Sequence, residues 1–156
     1  MPALVNDTAD HIVMKTFFPS TSDITRAWFL VDAKDLTLGK LAVKLANVLR
    51  GRNKATFSPH LDTGDFVVVV NARHLVVSGN KGADKQYYSH SGHFGHLKQT
   101  TLTDMLEKNP CRVIELAVRG MMPKNKMRDV MMKKLKVYPE ASHPHEAQKP
   151  SILSLD

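Results

Sequence analysis

The sequence predicts an α/β fold: a three-layer α/β/α arrangement with a small, mostly parallel sheet built on a βαβ unit, plus extended N- and C-terminal tails. Three observations carry this. Trp28–Ala33 is an aromatic and β-branched run of strand character. An apolar period close to 3.6 residues follows from Leu38 to Leu49. Phe66–Val70, within the strand-like stretch Phe66–Ala72, then forms an unbroken apolar run, as in a strand covered on both faces. With 156 residues the chain suits one core rather than two. The expected organisation is an N-terminal tail over 1–25, a single α/β domain over 26–138 and an extended proline-rich tail over 139–156.

Taken in order, the strand at Trp28 leads to a helix in which Leu38, Leu41, Ala42, Leu45, Val48 and Leu49 share one side. Thr37 stands at the N-cap position and Gly51 just past the end, where a left-handed residue closes many helices. Lys40, Lys44 and Arg50 occupy the other faces. The return to a second parallel strand predicts a right-handed crossover. His74–Ser78 adds a short strand or a helical turn, broken by Gly79-Asn80-Lys81-Gly82. Thr101–Asp104 has the form of a helix start, and Asn109-Pro110 opens another helix carrying Val113, Ile114, Leu116, Ala117 and Val118 and ending at Gly120. After Pro123, Met127, Val130, Met131 and Leu135 recur between lysines and predict a short amphipathic helix. The prolines of the tail make it extended, in need of a partner surface to become ordered.

Composition narrows the function. A hydrophobic fraction of 42% shows none of the apolar depletion that marks disorder. A net charge of +7 and a pI near 9.6 favour a polyanionic partner. The sole cysteine, Cys111, excludes an internal disulfide and a cysteine-based structural metal site, and a reducing cytoplasm is the simplest home. No apolar run approaches the roughly 20 residues that span a bilayer. The start, MPALVNDTADHIV, has no Lys or Arg and so is neither a secretory signal nor a transit peptide.

Candidate chemistry centres on YYSHSGHFGH, residues 87–96, with His90, His93 and His96 at three-residue spacing. Three imidazoles suit zinc, but Gly92 and Gly95 disfavour a helix that would align them, and no carboxylate lies in the cluster. A glycine-rich loop whose imidazoles hydrogen-bond locally or to phosphate is the better reading. The strand-to-helix turn DAKDLTLGKLA has one glycine rather than a dinucleotide fingerprint, and close helix-to-sheet packing explains Gly39 more simply than a mononucleotide does. SGNKGADK lacks the ending of a P-loop. Cys111 near a helix start beside Arg112 has the setting of a lowered thiol pKa, although a small buried residue is the simpler role. His60 and His74 have no recognisable catalytic partner pattern.

Charge distribution is the strongest physical signal. Arg119, Lys124, Lys126, Arg128, Lys133, Lys134 and Lys136 face a single acid, Asp129, in their segment. Lys40, Lys44, Arg50, Arg52 and Lys54 form a second cluster against Asp35. Solvated faces normally mix signs, whereas one-signed faces repel unless phosphates lie nearby. Tyr87, Tyr88 and Phe94 among Lys81, Lys85 and Lys98 add stacking surfaces suited to RNA with splayed bases, unless the tyrosines lie in a strand and cover the core.

These words also occur together elsewhere. VDAKDLTLGKLAVKLANVLRGRNKATFSPHLDTGDFVVVVNA, SGNKGADKQYYSHSGHFG, VIELAVRGMMPKN and KKLKVYPEASHPHEAQKP, in this order, resemble the bacterial large-subunit ribosomal protein L-thirteen family from about Trp28 to Pro150. The resemblance implies the three-layer α/β domain, no catalysis and no cofactor. It also implies a structural role bound to large-subunit (23S) rRNA early in assembly, beside neighbouring ribosomal proteins, in the cytoplasm, with neither DNA nor membrane. It places Tyr87, Tyr88, His90, Gly92 and His93 on a loop expected to touch rRNA, and adds His60 of PHLDTGD to the expected RNA contacts. These join the lysines and arginines of both basic clusters with Lys81, Lys85 and Lys98.

Departures are specific. His96 stands where many members have glycine, and Arg128-Asp129 where Gly-Arg is common. Asp129 would repel a phosphate, with Arg128 as its compensating cation. Met14 onward resembles the usual family start, so residues 1–13 read as a lineage-specific extension or an early start codon. The alternative function is a small α/β nucleotide-binding or metal-dependent phosphoryl hydrolase using Gly39's turn and the histidine loop.

Overall fold

The computed structural model describes residues 19–154, so the expected extension over 1–13 and most of the N-terminal tail lie outside the described residues. Strand β1 (Trp28–Asp32), helix α1 (Leu38–Arg50) and strand β2 (Phe66–Val70) form the expected βαβ unit. Gly51 closes α1 at φ 75, and its N–H donates to the carbonyl of Val48 at 3.0 Å. Thr37 sits at the N-cap without a side-chain bond to the helix. His74–Ser78 yields a 3-10 turn over Ala72–His74 and one bridge, Thr37 with Val76.

Further along lie α2 (Lys81–Asp84), an antiparallel hairpin of β3 (Gln86–His90) and β4 (Leu97–Thr101), then α3 (Leu102–Lys108) and α4 (Pro110–Met121). Thr101 caps α3 by accepting from the Asp104 N–H at 3.2 Å, while its own hydroxyl donates to Asp104 Oδ2 at 2.7 Å. The expected basic helix is shorter than its apolar spacing suggests. It is α5 (Met127–Met132), and Leu135 belongs instead to β5 (Leu135–Val137). The chain returns to add β6 (Ser151–Ile152).

Four strands make one parallel sheet in the order β5-β2-β1-β6. Alternation sends Val31, Val67, Val69 and Leu135 to one face, where they join Leu41, Leu45 and Leu49 of α1 and Val113, Ile114 and Val118 of α4 in a continuous core. Each fully buried Leu or Val adds roughly 1.5–3 kcal/mol relative to exposure. The other face starts with Trp28 stacked on its register partner Phe66, rings 4.4 Å apart and 8° from parallel. His145 of the tail tilts over Trp28 at 5.3 Å and shares a 2.8 Å hydrogen bond with the Tyr138 hydroxyl. Much of the C-terminal segment is thus ordered by the protein's own surface: the tail pairs with β1 through β6, with Leu153 N–H donating to Leu30 carbonyl at 2.9 Å.

Candidate nucleic-acid interface

Helix α1, which carries much of one basic cluster, packs on α4 and touches α5, the helices that carry or adjoin the other. The cations of both clusters divide into three groups. Lys40, Arg52, Lys124, Lys126, Lys133 and Lys136 are exposed and form no ion pair among the described residues, and the same holds for Lys98 in β4. Arg50, Lys44 and Arg128 are half-buried; Arg50 lies over the Phe57 ring at 5.9 Å. Arg128 Nε is buried without a hydrogen-bond partner among the described residues. Arg119, not Arg128, is the cation that compensates Asp129, with Nη2 3.5 Å from Oδ1. His60 is exposed on the loop after α1.

The third group turns inward. Lys134 is 4% exposed, its ammonium 2.5 Å from Asp62 Oδ1 and donating to the Leu49 carbonyl at 3.2 Å. Lys54 Nζ donates to Asp65 Oδ1 at 2.6 Å and to the carbonyls of Thr25 and Thr63. Both lysines were expected to meet phosphate. They instead satisfy the carboxylates of HLDTGD and the carbonyls around the end of α1: all three donors of the Lys54 ammonium have acceptors, and the Lys134 ammonium, with two acceptors, is buried away from the surface. Asp65 Oδ1 also accepts from Ala27 N–H at 2.8 Å, so the motif ties the start of β1 to the start of β2. Burial pulls the Lys134 pKa below 10.5, against the raising effect of Asp62.

The histidine-rich stretch is the tip of the β3–β4 hairpin. Tyr87 faces inward, half-buried, with Lys85 Nζ 5.3 Å from its ring centroid; its hydroxyl is buried without a partner among the described residues, and burial raises its pKa. Tyr88, on the opposite face, is exposed and donates to Gln86 Oε1 at 2.5 Å. One tyrosine thus covers the body while the other is presented outward. His90, His93 and His96 are all exposed. His90 Nδ1 accepts from Gly92 N–H at 2.9 Å, and the His93 and His96 rings lie 5.9 Å apart. Among the described residues no group of three His, Cys, Asp or Glu is arranged to hold a metal ion. Lys81, at the start of α2, is exposed and reaches Ser78 Oγ at 3.4 Å.

Comparison with known proteins is decisive. Residues 26–144 match the family profile described as Ribosomal protein L13. The chain belongs to the Ribosomal protein L13 family. It is 57% identical over 140 residues to the large ribosomal subunit protein uL13 of Maridesulfovibrio salexigens, covering 90% of this chain and 99% of that protein. It is 52% identical over 142 residues to the protein of the same name from Pelobacter propionicus, covering 91% and 100%. The uL13 of Synechococcus sp. is 55% identical over 142 residues, covering 91% and 95%.

The Ribosomal protein L13 family is structural and non-enzymatic, and the hydrolase reading fails on geometry as well. Gly39 borders a cavity of about 650 Å³, largely apolar, with Val77, Lys81, Leu102 and Met121. None of His90, His93 or His96 lines it, so the two halves of that reading do not meet. Gly39 does not serve close packing either: a Cβ there meets nothing within 4 Å. Close approach is instead found at Gly64, where a Cβ would fall 1.8 Å from the Leu49 carbonyl oxygen, and at Gly51, where it would fall 2.5 Å from Thr63 Oγ1. Cys111 is not activated, since burial followed by the Glu115 charge pushes its thiol up. No helix among the described residues is long and apolar enough to cross a membrane.

Proposed function

We propose that this protein is a structural constituent of the large ribosomal subunit that binds large-subunit (23S) rRNA and supports early subunit assembly in the cytoplasm. The observation that carries the reading is the set of exposed cations with no ion pair among the described residues: Lys40, Arg52, Lys98, Lys124, Lys126, Lys133 and Lys136. Their mutual repulsion is relieved when phosphates condense between them, which releases counterions and makes binding strongly salt-dependent. Lys44, Arg50, His60, Lys81, Lys85, Arg119 and Arg128 extend this surface, while Tyr88, His90 and His93 add stacking and hydrogen bonding at the hairpin. Positioning of RNA segments, not turnover, is the mechanism. Residues 26–138 form the binding unit, with 1–25 and 139–156 as flanking segments that meet neighbouring rRNA and ribosomal proteins.

The test is sedimentation of the endogenous protein through a sucrose gradient, followed by a high-salt wash of the large-subunit peak. Stoichiometric retention is the expected result. Protein left at the top of the gradient, or removed by the first wash, would refute an integral ribosomal role.

A further inference from the structure

The tip of the β3–β4 hairpin presents an apolar surface that none of the described residues covers. Phe94 is 102% exposed, Leu97 60% and Tyr88 59%. Single exposed apolar side chains need no explanation, but these cluster at one end of one hairpin. Tyr88 and His90 pair with Gln99 and Leu97, so Tyr88, His90 and Leu97 share one strand face, and Phe94 stands in the turn beyond them. The turn has internal order: Gly92 N–H donates to His90 Nδ1 at 2.9 Å and His96 N–H to the His93 carbonyl at 3.2 Å. Gly92 and Gly95 adopt φ 94 and 74, which L side chains rarely reach, and hold the bend on either side of the ring.

Charge selects the occupant. From Lys85 to Thr103 the chain contains no Asp or Glu. A partner that covers an aromatic tip in this setting is an anion with flat apolar faces. Regular duplex RNA hides its base faces in the stack and offers the ring only sugar and phosphate, whereas an unpaired nucleotide offers a face to stack on. His90, accepting at Nδ1, carries its proton on Nε2 and presents a donor beside the ring. Resting on the rRNA-binding reading above, we propose that Phe94 is a stacking wedge that takes an unpaired nucleobase, with Tyr88 and Leu97 flanking it.

The experiment compares the full-length chain with Phe94→Ala, Phe94→Leu and Phe94→Trp, binding in-vitro-transcribed large-subunit rRNA of the same organism across a salt series. Stacking predicts that Phe94→Ala weakens binding by about 5- to 150-fold. The salt slope stays unchanged, because no charge is lost. Phe94→Leu, with bulk but no π-face, falls close to Phe94→Ala. Phe94→Trp binds like the wild type, and its emission is quenched on the RNA beyond the signal of Trp28. Wild-type affinity in both Phe94→Ala and Phe94→Leu would overturn the wedge, and a subunit-incorporation defect alongside it would assign the tip to a protein neighbour. Wild-type affinity in Phe94→Leu alone would also overturn it, since an apolar pocket then suffices. A wild-type chain that does not bind the rRNA at all would refute the functional reading itself, which separates the two failures.

Discussion

Lys134 and Asp62 meet in the interior with Nζ 2.5 Å from Oδ1, and the same ammonium donates to the carbonyl of Leu49. This places a cation on the C-terminal end of α1, where free carbonyls and the helix dipole favour it. Asp62 is further approached by Arg26, at 3.7 Å. Removing one partner of such a pair strands the other, while replacing both with apolar groups is close to neutral. Lys134→Met is therefore expected to lose roughly 3 kcal/mol of stability. The double variant Lys134→Met with Asp62→Leu is expected to recover most of it. Urea unfolding of the three proteins decides; equal stability of the single and double variants would show that the pair is not coupled.

Gly64 makes a sharper case. A Cβ at this position would lie 1.8 Å from the Leu49 carbonyl oxygen and 2.9 Å from Lys134 Nζ. Neither neighbour yields cheaply, because one is helix backbone and the other is the buried ammonium. Gly64→Ala is expected to destabilise by more than about 4 kcal/mol, in the range reserved for defined structural faults. Gly39→Ala, with open space around it, is expected to be neutral or slightly stabilising, since alanine favours a helix interior by up to about 1 kcal/mol. Thermal melts of the pair check both directions, and a mild Gly64→Ala would contradict the close approach.

These two glycines show what the chain reveals before it is folded and what it hides. Local periodicity made α1 and β2 legible, because Leu41, Leu45, Leu49 and the valines of β2 repeat at the spacing of the structures they form. Leu135 misled for the same reason: it continues the apolar spacing of α5, yet parallel pairing with Val67 draws it into a strand. The β3–β4 hairpin carries few apolar residues, so its period of two is written in polar side chains and is hard to see. Individual charges were hardest. Nothing local distinguishes Lys134, which reaches an acid 72 residues away, from Lys133, which faces solvent. Phe94 was visible as an aromatic in a basic setting, but only the fold shows its ring to be uncovered.

Asp32 carries an acid-side dependence. Its carboxylate accepts from Asn71 Nδ2 and from Lys34 N–H, both at 2.9 Å. Partial burial works to raise its pKa, but these hydrogen bonds, with the charges of Lys34 and His74, outweigh it and leave the group below 3.8. A pKa lowered by folding stabilises the native state above the unfolded value, and that contribution is lost as pH falls through the folded value. The site is exposed, so the effect stays under about 1 kcal/mol. Asp32→Ala is expected to lower Tm slightly at pH 7 and to match the wild type once the pH falls well below 3.8. A Tm difference that persists undiminished in acid would assign the loss to packing instead.

Lys54 and Lys133 separate fold from interface most directly. Both are basic residues of the expected RNA-contact set, but Lys54 Nζ is bonded to Asp65 and two carbonyls, whereas Lys133 is exposed and has no ion pair among the described residues. On the proposed rRNA-binding reading, Lys133→Ala removes one phosphate contact, so the slope of log affinity against log salt is expected to shrink by about 0.7–0.9 with Tm unchanged. Lys124→Ala should behave in the same way. Lys54→Ala leaves Asp65 half-satisfied and is expected to lower stability by about 1–3 kcal/mol, with the salt slope intact when measured below its Tm. Binding to large-subunit rRNA across a salt series, paired with thermal melts, resolves the two effects. A reduced slope for Lys54→Ala, or an unchanged slope for both Lys133→Ala and Lys124→Ala, would move the interface away from the exposed cations of α5 and its flanks.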